Sequence, residues 1–548
     1  LNLKYITMKK ILILISVILF TMVSCGESPD EETSSTDTST GLPTGGRFPG
    51  GGGGFPGGGS SGASVTYPVN TAVKSLWQYD SSNKVYYIVG LVYCSSPAAQ
   101  SYEQMGIYVP AAYMNATANS DGTTYTCTIN TAAKVNGYTP STAPVVMPVN
   151  TGGYAAQSAP TGSSSSVTSY TDAGMVYLWA GCRGKDSGAP TGVTDLKAAI
   201  RYLRYLQAEQ KDVPGNADRI FSFGHSGGGA QSSLLGASGN STLYDAYLNA
   251  IGAKMDYKDN ICGSMCWCPI TNLDQADGAY EWNMGLTRSG LGSAETNISK
   301  GITASFAEYI NAIGLKNPAD GKALTLTATS DGYYQSGSYY QYIMGVINDA
   351  VTRYNKYHSA NVATYSTTDA SALHTFCSAN KKASKSLTAF DGYATMSSPE
   401  NMLMGISGAY GHFDSSLAAV VNKYASSYYS AFTSDFAKTD ALGNTVDKRL
   451  MMYTPMYYLV NNSTYYKGGG AGSSTVAPFW RIRTGIMQGD TGLSTETDLA
   501  LALMNYSGVK DVDFETIWGL AHTTAEDEGA SNATANFISW VENCVSKL

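Results

Sequence analysis

The chain has 548 residues, 43% hydrophobic and 14% charged, with 34 Lys and Arg against 42 Asp and Glu, a formal charge of −8. This balance excludes a basic nucleic-acid-binding surface, and the apolar fraction excludes disorder of the chain as a whole. Only five histidines are present, so few groups can act as a proton acceptor near neutral pH.

The order begins with Met8-Lys9-Lys10, the expected start, followed by the apolar run from Ile11 to Val23 and then Ser24-Cys25-Gly26. A short basic stretch, an apolar run of this length and a small residue at the cut describe a secretory signal, too short for a comfortable membrane span. Met22-Val23-Ser24-Cys25 resembles the bacterial lipobox, which implies Cys25 as a lipid anchor. It also implies an outer-membrane lipoprotein facing the periplasm or the cell surface, touching the membrane only through that anchor. From Glu27 to Asp37 the chain is acidic and rich in Ser and Thr, and twelve glycines fall between Gly41 and Ala63. Such a segment buries too little surface to offset its ordering entropy, so it reads as a tether.

Beyond residue 66, strand-like and helix-like stretches alternate. Lys84–Val92, Met105–Val109, Val145–Val149 and Met175–Trp179 are β-branched or aromatic and read as strands. Val193–Leu206 carries Leu196, Ala199, Ile200 and Leu203 on one helical face. Ile220–Phe223 is a strand with a helix over Gly227–Leu235 behind it. The pattern loosens from about Gly285 to Asp447. It tightens again at Phe479–Ile486, the helix Thr495–Tyr506, Val512–Trp518 and a last helix near Asn532–Val545. Alternation of this kind means an α/β fold, a mainly parallel sheet with helices on both faces.

Gly224-His225-Ser226-Gly227-Gly228 fits the nucleophile elbow G-x-S-x-G, and so does Gly58-Gly59-Ser60-Ser61-Gly62 in the tether. Only Ser226 follows a strand and opens a helix of small residues, as the strained turn requires. A serine at its free pKa needs a base, held in turn by a carboxylate. His225 flanks the nucleophile; His358, His374 and His412 lie in the loosened region. His522, just after a late strand, is the base by elimination and position. Asp490, in the loop after Phe479–Ile486, is the expected acid, whereas Glu496 and Asp498 are expected on a helix facing solvent. Backbone N–H groups of Gly227 and of the loop Asn150-Thr151-Gly152-Gly153-Tyr154, Thr151 and Gly152 foremost, are the expected oxyanion donors.

Several blocks together resemble the bacterial subtype B tannases and related feruloyl-esterase-like α/β hydrolases. They are Asp195–Tyr202 (DLKAAIRY), Gly224–Ala230, Cys268–Asp274 (CPITNLD), Ala279–Trp282 and Trp480–Arg483 (WRIR), in the family's order. The resemblance implies an α/β-hydrolase fold with a large inserted lid domain, and cleavage of gallate- or hydroxycinnamate-type esters. The expected organisation is a signal over 1–25, a tether over 26–66, a core over 67–284 and 448–548, and a lid over 285–447. The family holds galloyl hydroxyls with a Lys and a Glu of the lid, which Lys385 and Glu400 match, and with an Asp near the triad acid. Its pattern R-I-R-x-G-x-x-D-x-D is broken here. Read from Arg481, Gln488 takes the first acid's place and Asp490 the second; read back from His522, Asp490 takes the first. The second reading is preferred, because losing a substrate contact costs less than losing the base's orienter.

The implied partner is a small phenolic ester, and the mechanism needs no cofactor and no metal. Cys262, Cys266 and Cys268 lack a completed zinc pattern and read as core or disulfide cysteines. Asp274, Asp277 and Glu281 read as a capped helix start rather than a metal face. Cys94 and Cys127 are candidates for a bridge. Two alternatives stand beside the esterase. A prolyl-oligopeptidase-like peptidase would bring a propeller-like repeat, and none precedes the core. A retired hydrolase serving as a surface binding protein would show a broken triad.

Overall fold

Continuous apolar runs in the sequence become strands buried on both sides, as a parallel sheet under helices demands. The structure, a computed structural model, describes residues 65–526 and 532–548; the signal, Cys25, the tether and Ser60 lie outside them. In chain order the strands are β1 (Gln78–Asp80), β2 (Val85–Val92), β3 (Gln104–Pro110), β4 (Met114–Ala118), β5 (Tyr125–Ile129), β6 (Pro144–Val149), β7 (Val176–Ala180), β8 (Asn216–His225), β9 (Gly263–Trp267), β10 (Phe479–Gly485) and β11 (Asp511–Ile517). Nine of them form one sheet, ordered β1-β2-β3-β7-β6-β8-β9-β10-β11, and β4 pairs with β5 apart from it. From β7 through β11 every pairing is parallel, whereas β1, β2, β3 and β7 pair antiparallel. The fold is that of an α/β hydrolase.

Alternate residues feed opposite faces. Val145, Met147 and Val149 of β6 join the larger core cluster, and Val146 joins the smaller. Helices α1 (Thr191–Tyr205) and α2 (Gly227–Ala237) cover the first face, supplying Leu196, Ile200 and Leu234 to its core. The C-terminal helix Ala533–Ser546 covers the second with Phe537, Trp540 and Val541. Fully burying such a side chain contributes about 1.5–3 kcal/mol, so the alternation itself fixes which strand edge faces which helix.

Between β9 and β10 the chain adds no strand to the sheet. It runs through α3 (Ala276–Met284), α4 (Ser293–Ile313), α5 (Ser338–His358), α6 (Ala372–Asn380) and α7 (Pro399–Met404), among further helices. This insertion shares the larger core: Phe306, Tyr339 and Phe376 belong to the same cluster as Val145 and Leu234. The acidic side chains of the Asp274–Glu281 stretch serve that docking. Asp277 accepts the backbone N–H groups of Phe390 and Asp391 at 2.9 and 2.8 Å, and Glu281 pairs with Arg288 at 2.6 Å.

Two expectations are corrected. Cys94 and Cys127 are both free, as are the other six cysteines among the described residues. Glu496 and Asp498 do not face solvent: α8 (Leu493–Asn505) is buried along that side by the insertion, with Tyr339 Oη donating to Asp498 at 2.6 Å. Among the described residues no helix is long and apolar enough to cross a membrane.

Candidate active site

Parallel strands leave their C-terminal ends along one edge, and in open α/β sheets the crevice forms there. The register lines up Val149 with Gly224 and His225 with Trp267 and Arg483, so the loops after β6, β8, β9, β10 and β11 emerge side by side.

Ser226 sits between β8 and α2 with φ 60° and ψ −124°, a left-handed conformation that costs a non-glycine residue about 1–3 kcal/mol. The turn survives because its neighbours have no bulk: a Cβ on Gly228 would lie 2.1 Å from the carbonyl oxygen of Val149. Ser226 is 9% exposed, and its own N–H donates to Trp267 O at 2.9 Å. Gly227 is pressed against the loop after β6; the Cβ it lacks would lie 2.6 Å from Tyr154 N and 3.2 Å from Gly153 N. Thr151 is buried and donates to Gln231 at 3.0 Å, while the space beside Gly152 is open. The loop nitrogens nearest the Cβ position of Gly227 are those of Gly153 and Tyr154, with Thr151 O at 2.7 Å beside them.

His522 follows β11 on a loop that is clamped from below. Arg481 forks onto Glu526 at 3.0 and 2.9 Å, and Trp267 Nε1 donates to the same carboxylate at 2.6 Å. The clamp gives the Trp480–Arg483 block a structural meaning. The His522 ring lies 4.7 Å from that of His225, beside the elbow. Among the described residues no hydrogen bond joins Ser226 Oγ to His522; catalytic bonds of this kind commonly tighten only once substrate is bound. Burial lowers the pKa of His522, opposed by Asp490 and reinforced by Lys385 and Lys381. Burial, with His522 adding to it, lowers His225 to about 4, so His225 is neutral.

The acid expected behind His522 is placed differently. Nδ1 is hydrogen-bonded at 2.6 Å to Gln488 Oε1, and Asp490 Oδ2 stands off at 3.8 Å with its side chain 43% exposed. The cause is the turn after β10: Gln488 N bonds back to Gly485 O at 3.1 Å, which carries Gln488 inward and leaves Asp490 on the crevice side. The ungapped reading from Arg481 describes this geometry; the preferred reading, with Asp490 as the orienting partner, does not.

Lys385 is tied to the turn that carries Asp490, and Glu400 lies close enough to both to feel their charges. Tyr280 Oη accepts the N–H groups of Ser384 and Lys385 at 3.0 and 3.1 Å and donates to Gly489 O at 3.0 Å, stapling the Lys385 segment to the turn between Gln488 and Asp490. Lys385 Nζ lies 4.0 Å over the Phe390 ring. Glu400, in the first turn of α7, is 2% exposed, and its Oε2 has no hydrogen-bond partner among the described residues. Burial raises its pKa, Lys385 opposes that, and Asp490 adds to it, so the three charges share one field.

His225, Cys268 and His522 turn their ligand atoms to within 4.8 Å of one another. A soft cation would need a thiolate there. Burial pushes the Cys268 thiol up to about 11, and it already donates to Thr523 O at 3.2 Å. The trio packs the base rather than presenting a ready ligand set.

The BD-FAE family model matches residues 135–313. The native tannin acyl hydrolase of Lactobacillus plantarum is 26% identical, with TM-score 0.65 over 88% of this chain and 98% of that one. The Fusobacterium nucleatum tannase is 28% identical, with TM-score 0.65 over 86% and 97%. The chain is a tannase- and feruloyl-esterase-like α/β hydrolase. No curated protein matches it. For this tannase-like hydrolase, sequence reasoning missed Gln488 as the group bonded to His522, although the unbroken count from Arg481 had put it in that place. Thr484 and Glu496 flank Gln488, and Lys381 lies in the field of Glu496; they are single polar residues brought together by β10, α8 and the insertion, and their sequence spacing gives no sign of it.

Proposed function

We propose that the chain is an exported, lipid-anchored serine carboxylic-ester hydrolase acting on phenolic esters. One observation supports it above the others: the Ser226 elbow stands at the C-terminal end of β8 with His522 beside it, and Lys385, Glu400 and Asp490 share one electrostatic field next to that base. Ser226 Oγ attacks the ester carbonyl and His522 Nε2 takes its proton. The oxyanion rests on N–H groups of Gly227 and of the loop 151–154. Return of the proton expels the alcohol, and water then cleaves the acyl-enzyme by the same steps in reverse order. Asp490 supplies a negative charge that favours the imidazolium formed on the way, although the hydrogen bond to Nδ1 belongs to Gln488.

The acyl group is a hydroxylated benzoate or cinnamate. Lys385, Glu400 and Asp490 offer one cation and two acceptors to ring hydroxyls, and a buried, unpartnered Glu400 oxygen is a ready acceptor. Tannin acyl hydrolase structures carry ethyl gallate and 3,4-dihydroxybenzoate, ligands of this class. The test is hydrolysis of methyl gallate, methyl ferulate, p-nitrophenyl acetate and an acetylated sugar. Preference for the two phenolic esters, abolished by Ser226→Ala, is expected; equal rates on all four, or rates unchanged by the substitution, would sink the reading.

Gln488 in place of a carboxylate favours a second reading, a retired hydrolase that binds without cleaving. A fluorophosphonate probe separates the two: a serine esterase is labelled at Ser226, whereas a binding protein stays unlabelled.

A further inference from the structure

The bond from His522 Nδ1 ends on an amide, and an amide can face either way. Gln488 Oε1 accepts from Nδ1 at 2.6 Å. On its other side Gln488 Nε2 donates to Thr484 Oγ1 at 2.6 Å and to Glu496 Oε1 at 2.5 Å. Thr484 Oγ1 donates to the same Glu496 oxygen at 3.2 Å, which leaves its lone pair for the amide. A flipped Gln488 would set its oxygen against the carboxylate oxygen of Glu496, draw the Thr484 hydroxyl proton away from that carboxylate, and turn its NH2 to the imidazole. Only one orientation satisfies all four groups, and the carboxylate decides it.

We infer that Glu496 is the positioning residue of the base: it fixes the Gln488 amide, which holds His522 with the proton on Nδ1 and Nε2 free to take the proton of Ser226. The role of an orienting carboxylate is thereby moved one residue back, from contact with the imidazole to contact with its amide partner. The inference rests on the reading of His522 as the base. Glu496 is fully buried on α8, and its Oε2 has no hydrogen-bond partner among the described residues; the same is true of Lys381 Nζ. Burial raises Glu496 to about 7, and Lys381 is the foremost influence holding its anion. The Cys268 thiol and the Asp498 carboxyl are the other titratable groups in its field. A salt-bridged surface glutamate would have none of this enclosure. The enclosure leaves Glu496 Oε1 to two donors, the Gln488 amide and the Thr484 hydroxyl.

The full chain tests this with isosteric exchanges. Glu496→Gln is expected to lower kcat about 10- to 100-fold with KM little changed, the range seen when groups supporting a functional histidine are removed. It should also move the acid limb of the kcat/KM profile to lower pH, because the imidazolium loses a nearby carboxylate. Gln488→Glu alone, which sets two carboxylates together, should be similarly impaired. The exchange Gln488→Glu with Glu496→Gln restores one amide and one carboxylate and should recover most of kcat. A purely structural role predicts a lower melting temperature with kcat and pH profile unchanged. Wild-type kcat and profile in Glu496→Gln, or no recovery in the exchange, overturns the inference.

Should the variants not fold, nitrogen NMR of the His522 ring in the wild-type chain decides it. Protonated Nδ1 with unprotonated Nε2 is expected, and the opposite tautomer overturns the inference. His522→Ala with full activity would instead remove the underlying reading. An inactive His522→Ala beside a fully active Glu496→Gln would remove the inference alone.

Discussion

The two halves of the crevice are held by different physics. On the nucleophile side the backbone does the work: Ser226 is forced to φ 60° by a turn whose glycines touch neighbouring carbonyls, and no charged side chain is involved. On the base side the backbone is ordinary, and His522 is held by side chains: Gln488 on the ring, Glu496 behind it, and Arg481 with Glu526 beneath the loop. One half therefore fails through volume and the other through charge. Any Cβ at the elbow glycines would meet backbone, whereas the base's support is made of side chains around an amide.

The largest way to break both halves at once is to remove either reacting group: Ser226→Ala and His522→Ala should each lower kcat for phenolic esters about 10⁴-fold or more, in steady-state assays, with melting temperature unchanged. Next comes charge. Arg481→Met leaves Glu526 buried without its fork and should cost about 3–5 kcal/mol in denaturant unfolding, with kcat falling as the His522 loop loosens. Volume follows. Gly228→Ala puts a methyl where Val149 O stands and should cost about 1–3 kcal/mol or more, while the same change at half-buried Gly162, where a Cβ meets nothing within 4 Å, should cost little.

Smaller effects sharpen the comparison. Lys385→Ala and Glu400→Gln should raise KM for methyl gallate by about tenfold, roughly one good hydrogen bond each, and leave p-nitrophenyl acetate unaffected. The smallest is a shift in pH. His522 must be neutral to accept a proton, and burial lowers its pKa below 6.5, so kcat/KM should hold below that value and fall only under more acid conditions. An acid limb above 6.5 would contradict the burial seen here.

How much of this was legible depended on distance along the chain. The elbow could be read because strand, glycines and helix are contiguous, and Ser60 in the tether could be set aside for lack of them. The parallel sheet was readable from buried runs such as Val145–Val149. The antiparallel β1–β3 edge was not, since single strands do not carry their direction. His522 followed from scarcity and position. Its partner was misjudged because Gln488 and Asp490 are two residues apart, and only the turn that follows Gly485 decides which side chain goes inward. Glu496 was assigned to solvent because the acidic stretch of α8 looks like an exposed face until the insertion covers it. Lys385 and Glu400 came from resemblance alone; nothing in their local sequence points to a crevice.

The eight free cysteines among the described residues bear on how the protein can be made. Each is buried, and burial pushes every thiol upward, Cys182 and Cys377 to about 12. In the folded chain these eight side chains therefore offer almost no thiolate to an oxidant. The unfolded chain has no such shelter. Anything that slows folding in the presence of an oxidant should leave mixed disulfides, and adding a thiol reductant during refolding, rather than after it, should decide the yield of active protein.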